Sequence, residues 1–339
     1  MKRILALESS CDETSAAVVA DGRKILSSVT LTQIAVHQKF GGVVPEVASR
    51  KHIEWILPVV DQALKEANLT LEELDAISVT SGPGLVGALL VGVAAAKGLA
   101  FSMDLPLIGV HHLEGHIFGA LLADPQLEPP FLALVVSGGH TSLIEVAGYN
   151  EFKLLGQTRD DAAGEAYDKV ARLLGLPYPG GPQVEKLALE GNETAIAFPR
   201  ALAGDNLDFS FSGLKSSVIN YLHGAKQRGE TIVPADVAAS FQAAVADVLV
   251  AKSLQALRKT QHKKLTLVGG VAANSYLRKR LESALKEMEV ELIVPPLELC
   301  TDNAAMIASR AYYQWIAGSQ ADFRLNATPT WTLGSRKQE

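Results

Sequence analysis

The stretch Leu134-Val-Val-Ser-Gly-Gly-His-Thr-Ser-Leu-Ile-Glu-Val146 decides the fold. An apolar run meets Ser137, Gly138 and Gly139, then resumes after Thr141 and Ser142, which reads as strand, tight turn, strand. Glycine permits positive φ and lets a backbone N–H approach a ligand closely, so such a tip suits a phosphate. Taken alone, the stretch is an ordinary β-hairpin. A second copy near the N-terminus changes that reading. Ile4-Leu-Ala-Leu-Glu-Ser-Ser-Cys-Asp-Glu-Thr-Ser-Ala-Ala-Val-Val19 has the same plan, with Thr14-Ser15 standing where Thr141-Ser142 stand. A third strand-like run follows each, Lys24 to Leu31 and Phe152 to Gln157. A strand–turn–strand–strand unit that occurs twice predicts an internal duplication. Two such units facing each other would place two phosphate loops across one cleft.

Outside these units, strands alternate with helices, so the class is α/β. The sequence predicts strands at Ala76–Thr80, Leu107–Val110, Leu265–Val268 and Glu291–Val294. It predicts helices at about Glu46–Ala67, Leu85–Phe101, Pro234–Lys259 and from Cys300 to Ile316. Pro58 should kink or break the first of these. Ser81-Gly-Pro-Gly84 joins a strand to an apolar helix, which suits either an anion at the helix N-terminus or a plain tight turn. Residues from about 160 to 260 are nearly all helical and read as an insertion, and Pro234–Lys259 reads as amphipathic. The expected division is a first lobe of residues 1–130 plus 305–325, a second lobe of 131–304, and a tail of 326–339 that is loose from Gly334.

The 339 residues are 48% hydrophobic and 20% charged, a globular composition with room for two domains. The basic Met1-Lys2-Arg3 is followed by an apolar run that stops at Glu8, so no secretory signal is expected. The apolar segment Leu85–Ala96 ends at Lys97 and is too short to span a bilayer. Two cysteines, Cys11 and Cys300, suggest a reduced, cytoplasmic setting, with a single bridge between them as the alternative. A net charge of −6 argues mildly against a broad nucleic-acid surface, but a local basic patch could still serve. The basic clusters are Lys263-Lys264 and Arg278-Lys279-Arg280, which solvent-exposed faces commonly carry.

Several residues are candidates for chemistry. His112 and His116 are four apart, so on a helix they share one face and could share one metal ion. Glu114 does not stand where the glutamate of a H-E-x-x-H metalloprotease stands. Asp302 is the best third ligand, or else a helix N-cap. Leu265-Thr-Leu-Val-Gly-Gly-Val-Ala-Ala-Asn274 runs from strand through a double glycine to a helix start. Gly269 and Gly270 could lie against a base, and Asn274 could hydrogen-bond a nucleotide. Asp168, Gly181 and Glu185 sit in the inserted region, where a carboxylate could meet ribose hydroxyls.

Together these motifs resemble one family, TsaD (also Gcp or YgjD), the catalytic subunit of tRNA threonylcarbamoyladenosine synthesis, once described as an endopeptidase. The matching stretches include Glu8-Ser-Ser-Cys-Asp-Glu-Thr14, Gly41-Gly-Val-Val-Pro-Glu46, His112-Leu-Glu-Gly-His116, Val136-Ser-Gly-Gly-His140, Asp161-Ala-Ala-Gly-Glu165, Asp208-Phe-Ser-Phe-Ser-Gly-Leu-Lys215, Gly269-Gly-Val-Ala-Ala-Asn274 and Cys300-Thr-Asp-Asn303. They run in order along nearly the whole chain, and the layout looks bacterial.

The resemblance implies a two-lobed actin-like, sugar-kinase-like ATPase fold (ASKHA) with a duplicated sheet core. It implies transfer of threonylcarbamoyl from threonylcarbamoyl-AMP to N6 of adenosine 37 in tRNAs reading codons that begin with A. It implies that His112, His116 and Asp302 hold one divalent metal, usually iron, alternatively zinc. By the same match, Val135, Val136, Ser137, Gly138 and Gly139 hold the donor's phosphate and carbamoyl region. Asp168, Gly181, Glu185 and Asn274 bind its nucleoside, although several relatives carry Asp at the Glu185 position. Some archaeal and eukaryotic relatives have a metal-ligating tyrosine where this chain has Val135. Asp12 or Glu13 is a guess for a catalytic base. The implied partners are tRNA, a TsaB-like paralogue and a TsaE-like ATPase, with a homodimer when alone and no membrane. The apolar helices near His52–Leu64 and Leu85–Phe101 are candidate paralogue contacts. Competing readings are a metalloprotease, a sugar kinase or ATPase of the same fold, and a non-catalytic scaffold.

Overall fold

The computed structural model describes residues 1–201 and 204–334. In chain order the elements begin β1 (Arg3–Glu8), β2 (Glu13–Ala20), β3 (Lys24–Thr32), α1 (Ile34–His37), α2 (Pro45–Ala67), β4 (Ala76–Gly82), α3 (Val86–Met103), β5 (Leu107–His111) and α4 (His112–Ala123). They continue β6 (Phe131–Val136), β7 (Thr141–Gly148), β8 (Glu151–Gln157), α5 (Ala163–Leu173), α6 (Gly180–Ala188), α7 (Ser212–Arg228) and α8 (Pro234–Thr260). The last are β9 (Lys264–Val268), α9 (Ser275–Lys286), β10 (Glu291–Ile293), α10 (Leu297–Cys300) and α11 (Ala304–Ile316).

The duplication is visible in the strand order. One five-stranded sheet runs β3-β2-β1-β4-β5, and the other runs β8-β7-β6-β9-β10. In each, an antiparallel three-strand meander has two parallel strands added beside its first strand. The chain divides into two compact units. Residues 1–129, 147–152 and 295–339 form the first, and residues 130–146 and 153–294 the second. The return to the first unit therefore falls at Pro295, ten residues before the expected 305, and Asp302 belongs to that unit.

Both faces of the first sheet are covered, so its strands are apolar throughout. Leu5, Leu7, Ala16, Val18, Ile77 and Val79 face residues of α2 and α3. Ile4, Ala6, Ala17, Val19, Ile108 and Val110 face α11. Burying one such aliphatic side chain contributes about 1.5–3 kcal/mol. The period of two also places Glu8 and Glu13 on the α11 side, below Ile4, Ala6 and Ala17.

Several expectations change. α2 continues through Pro58 without a break, held by packing on β2, β3 and α3. α3 ends at Met103, near the expected Phe101, but where the apolar segment Leu85–Ala96 is too short to span a bilayer, the whole 18-residue helix, with mean hydropathy 1.8, is long and apolar enough by length and composition. α8 passes the same test but is 83% buried within the second unit. α8 is also not amphipathic. Its alanines let α6, α7 and α9 pack close on several sides, and buried residues recur at nearly every position from Ala235 to Val250. The segment after 325 is no separate tail. The Thr328 amide donates to Ser81, Trp331 O meets His111 Nε2, and Leu333 is buried. Of the loose end expected from Gly334, residues 335–339 lie outside those described.

The Ser81–Gly84 turn is a close-packing device in this chain. A Cβ on Gly82 would lie 2.0 Å from Thr328 O, and one on Gly84 2.6 Å from Ser10 O. The amides at the start of α3 are engaged by protein carbonyls: Gly84 donates to Pro329 and Leu85 to Ser10.

Candidate functional site

In the first unit, α4 presents His112 and His116 from one face, with ring centroids 4.6 Å apart. Asp302 comes from the link between α10 and α11. Its Oδ1 lies 3.5 Å from His112 Nε2 and 3.2 Å from His116 Nε2. The three ligand atoms all fall within 4.8 Å of one another. Ligands about 2.0–2.1 Å from a tetrahedral ion stand roughly 3.3–3.4 Å apart, so two of these spacings suit one ion. Asp302 is not needed as a helix cap. Asn303 does that work, its Oδ1 accepting from the Met306 amide at 2.9 Å.

The chemistry of the cluster fits a cation. Both ring nitrogens of His116 are buried and, among the described residues, find no partner in good hydrogen-bond geometry, Asp302 Oδ1 being 3.2 Å from Nε2. Orphaned buried nitrogens are costly unless something else binds them. Burial alone would raise the Asp302 carboxyl, yet the two imidazoles hold it well below the usual range. Burial works against charge on His112, but Asp302 and Glu8 outweigh it and raise that ring well above its ordinary value. Without a metal, positive charge on His112 sits between two carboxylates.

Glu8 is a residue the sequence reading passed over. It is fully buried at the end of β1 and its Oε2 is 3.1 Å from His112 Nδ1. The available signal was a lone acid closing the apolar run Ile4–Leu7. Glu114 is a second case. Its carboxylate pairs with Arg310 Nε at 2.6 Å, with side-chain exposures of 13% and 5%, so it points away from the metal-ligand atoms into an internal ion pair. Asn150 Oδ1 accepts from the same guanidinium, and Phe118 and Phe152 flank it. In this arrangement Glu114 is not placed to act as the general base of the metalloprotease reading. Of the two guessed bases, Asp12 is buried, while Glu13 is pushed well above the carboxylate range by burial, then by the charges of Asp12 and Asp302. Cys11 and Cys300 are not joined in a disulfide, and the Cys300 thiol donates to Pro295 O.

In the second unit, Val135 and Val136 are fully buried in β6, paired with β7 on one side and, at Val135, with β9 on the other. They place the turn and offer no side chain to a ligand. Ser137 also differs from expectation, because its amide donates to His140 O at 2.8 Å. Gly138 and Gly139 have no chain acceptor for their amides among the described residues, and a Cβ on either would meet nothing within 4 Å. Their φ angles are not positive, so open space around the turn, rather than left-handed backbone, is what glycine supplies.

The four expected nucleoside residues gather near α5, α6 and α9. Asp168 Oδ1 accepts from the Gly180 amide at 2.6 Å, beside Gly181. Glu185, one turn along α6, accepts from the Ser275 amide and hydroxyl. Asn274 caps α9 through Leu277 and donates to Gln242. Glu185, Gln242, Ser275, Tyr276 and Lys279 line a cavity of about 130 Å³. Gly269, at φ +91°, sits against Val136 O.

A duplicated sheet of this order, with helices on both faces of the first copy, defines the actin-like, sugar-kinase-like class. The fold recurs in component A of Acidaminococcus fermentans (R)-2-hydroxyglutaryl-CoA dehydratase, with TM-score 0.56 and 17% identity over 93% of this chain and 99% of that one. T. kodakarensis HypF matches with TM-score 0.66 and 15% identity, over 94% of this chain and 48% of that one. Within the class, the chain belongs to the TsaD family, tRNA N6-adenosine threonylcarbamoyltransferase, whose model matches residues 24–309. It is 58% identical over 334 residues to the enzyme of that name from Clostridium botulinum, covering 98% of each chain. To the Moorella thermoacetica enzyme it is 60% identical over 331 residues, 97% of each. The chain is therefore a transferase that modifies adenosine in tRNA.

Proposed function

We propose that the enzyme takes threonylcarbamoyl from threonylcarbamoyl-AMP and transfers it to N6 of adenosine 37 in tRNAs reading codons that begin with A. The His112–His116–Asp302 cluster is the observation that carries this reading, because it supplies an ion site that a kinase or scaffold of this fold would not require. A metal held there, iron or zinc, would draw charge from the donor's oxygens and favour departure of AMP. The amides of Gly138 and Gly139 are suited to the donor's phosphate and to charge developing on its carbonyl. Asp168, Gly181, Glu185 and Asn274 are assigned to the nucleoside. Glu13, whose carboxyl is made more basic by burial and then by the charges of Asp12 and Asp302, is a candidate base for the N6 amine.

A partner surface is part of the same reading. Ile53 and Leu57 on α2, with Val86 and Leu90 on α3, are 44–66% exposed although large and apolar. Such a face favours burial against a second protein. We assign it to a TsaB-like paralogue, or to a second copy of the chain when that is absent. A TsaE-like ATPase would complete a cytoplasmic assembly.

The test combines the chain with those partners, threonylcarbamoyl-AMP and unmodified tRNA, and looks for the modified nucleoside by mass spectrometry. His112→Ala and Asp302→Ala should each abolish the product while circular dichroism shows the chain still folded. Full activity in both variants would remove the metal from the mechanism.

A further inference from the structure

His112 has two ring nitrogens, and only Nε2 faces Asp302. A neutral imidazole ligates through the nitrogen that lacks a proton, so the other must carry it. Two groups near Nδ1 bear on that choice. Glu8 Oε2 is 3.1 Å away and Ser10 Oγ is 3.2 Å away. Glu8 is itself pinned: its Oε1 accepts from the Ser10 amide at 2.5 Å, and its Oε2 accepts from Thr80 Oγ1 at 2.6 Å. An ionised carboxylate can only accept, whereas a serine hydroxyl can donate or accept. All of these residues lie in the first unit, and Glu8 precedes the span matched by the family model.

We propose that Glu8 is a positioning residue for the metal centre: it accepts the Nδ1 proton of His112 and so presents the bare Nε2 to the ion beside Asp302. The inference rests on the metal reading above, but its test is separate from transfer activity. Strand parity supports it, since Glu8 extends the Ile4–Ala6 side of β1. The pinning by Ser10 and Thr80 makes Glu8→Gln diagnostic. The Ser10 amide needs an acceptor, so the amide oxygen must take the Oε1 place. The NH₂ group then faces His112 Nδ1 and donates to it. That forces the ring proton onto Nε2, the atom required by the ion.

The experiment uses the full chain with ¹⁵N-labelled histidine and zinc as probe. Zinc affinity is read by competition with a chromophoric chelator, and the His112 Nδ1–H signal by ¹H–¹⁵N spectra of the zinc-loaded protein. Glu8→Gln should bind zinc about 10- to 100-fold more weakly, as losses of partners behind a ligating histidine typically do, and should lose the hydrogen-bonded Nδ1–H signal. Ser10→Ala should keep that signal and bind within about threefold of the parent. Unchanged zinc affinity in Glu8→Gln overturns the proposal, and so does a loss in Ser10→Ala equal to that in Glu8→Gln. Thr80→Val covers the case of a Glu8→Gln chain that does not fold. Removing the hydroxyl leaves Oε2 a stronger acceptor, so the Nδ1–H signal should move downfield; no movement, or an upfield one, counts against Glu8. Loss of transfer activity with these results intact would point instead to the reaction assigned above.

Discussion

Glu114→Gln separates the ion-pair role of this glutamate from a role in chemistry. The change keeps the shape and removes the charge that Arg310 pairs with at 2.6 Å. Breaking a buried pair by removing one partner costs about 3–5 kcal/mol, because the other charge is left uncompensated. Arg310 keeps the Asn150 acceptor and the two flanking rings, so the lower end, about 3 kcal/mol, applies. In a unit of this size each kcal/mol moves the midpoint by roughly 2–4 °C, so melting should fall by about 6–12 °C. Replacing both partners by apolar residues, as in Glu114→Leu with Arg310→Met, should recover most of the loss. The assay is calorimetric melting of the four corners of this cycle, with zinc affinity and tRNA modification measured well below each midpoint. Folded Glu114→Gln should retain both to within a few-fold. A variant that melts within about 1 °C of the parent yet loses activity would show that Glu114 acts on the substrate, and the argument from its burial would fail.

Gly139→Ala should leave melting unchanged, since its new methyl meets open space, so any fall in activity would report ligand approach to that turn. Gly269→Ala, at φ +91° and 2.5 Å from Val136 O, should instead lose about 1–3 kcal/mol on a denaturant curve. Asp160 accepts from Ser210, Ser212 and the Phe211 amide, which outweigh burial and depress its carboxyl. Its contribution is therefore present above the unfolded carboxylate range and is lost as pH falls through its lower folded value. Asp160→Ala should cost about 1 kcal/mol at neutral pH, with the gap to the parent closing in acid unfolding curves. Leu57→Asp with Leu90→Asp should leave the isolated chain as stable as before while abolishing co-elution with the TsaB-like partner; retained co-elution would move the interface elsewhere.

The sequence by itself determined the repeat of a strand–turn–strand–strand unit and the identity of the metal-ligand candidates, while the five-strand order of each sheet came from the tertiary structure. Apolar runs, glycine turns and a four-residue histidine spacing are local patterns, and local patterns follow directly from backbone geometry. It also marked Asp302, although the neighbouring Asn303 turned out to be the cap that leaves Asp302 unneeded there. What it could not give depends on residues far apart in the chain. Glu8 behind His112, Arg310 against Glu114, Thr328 against Gly82 and the Ser137 amide closed onto His140 are decided by which groups packing brings within hydrogen-bond reach. The same holds for α8, whose all-round burial comes from neighbours that its own periodicity does not record. A side chain's type is written in the sequence, but its partner, its exposure and hence its charge state are set only when the tertiary structure removes it from water.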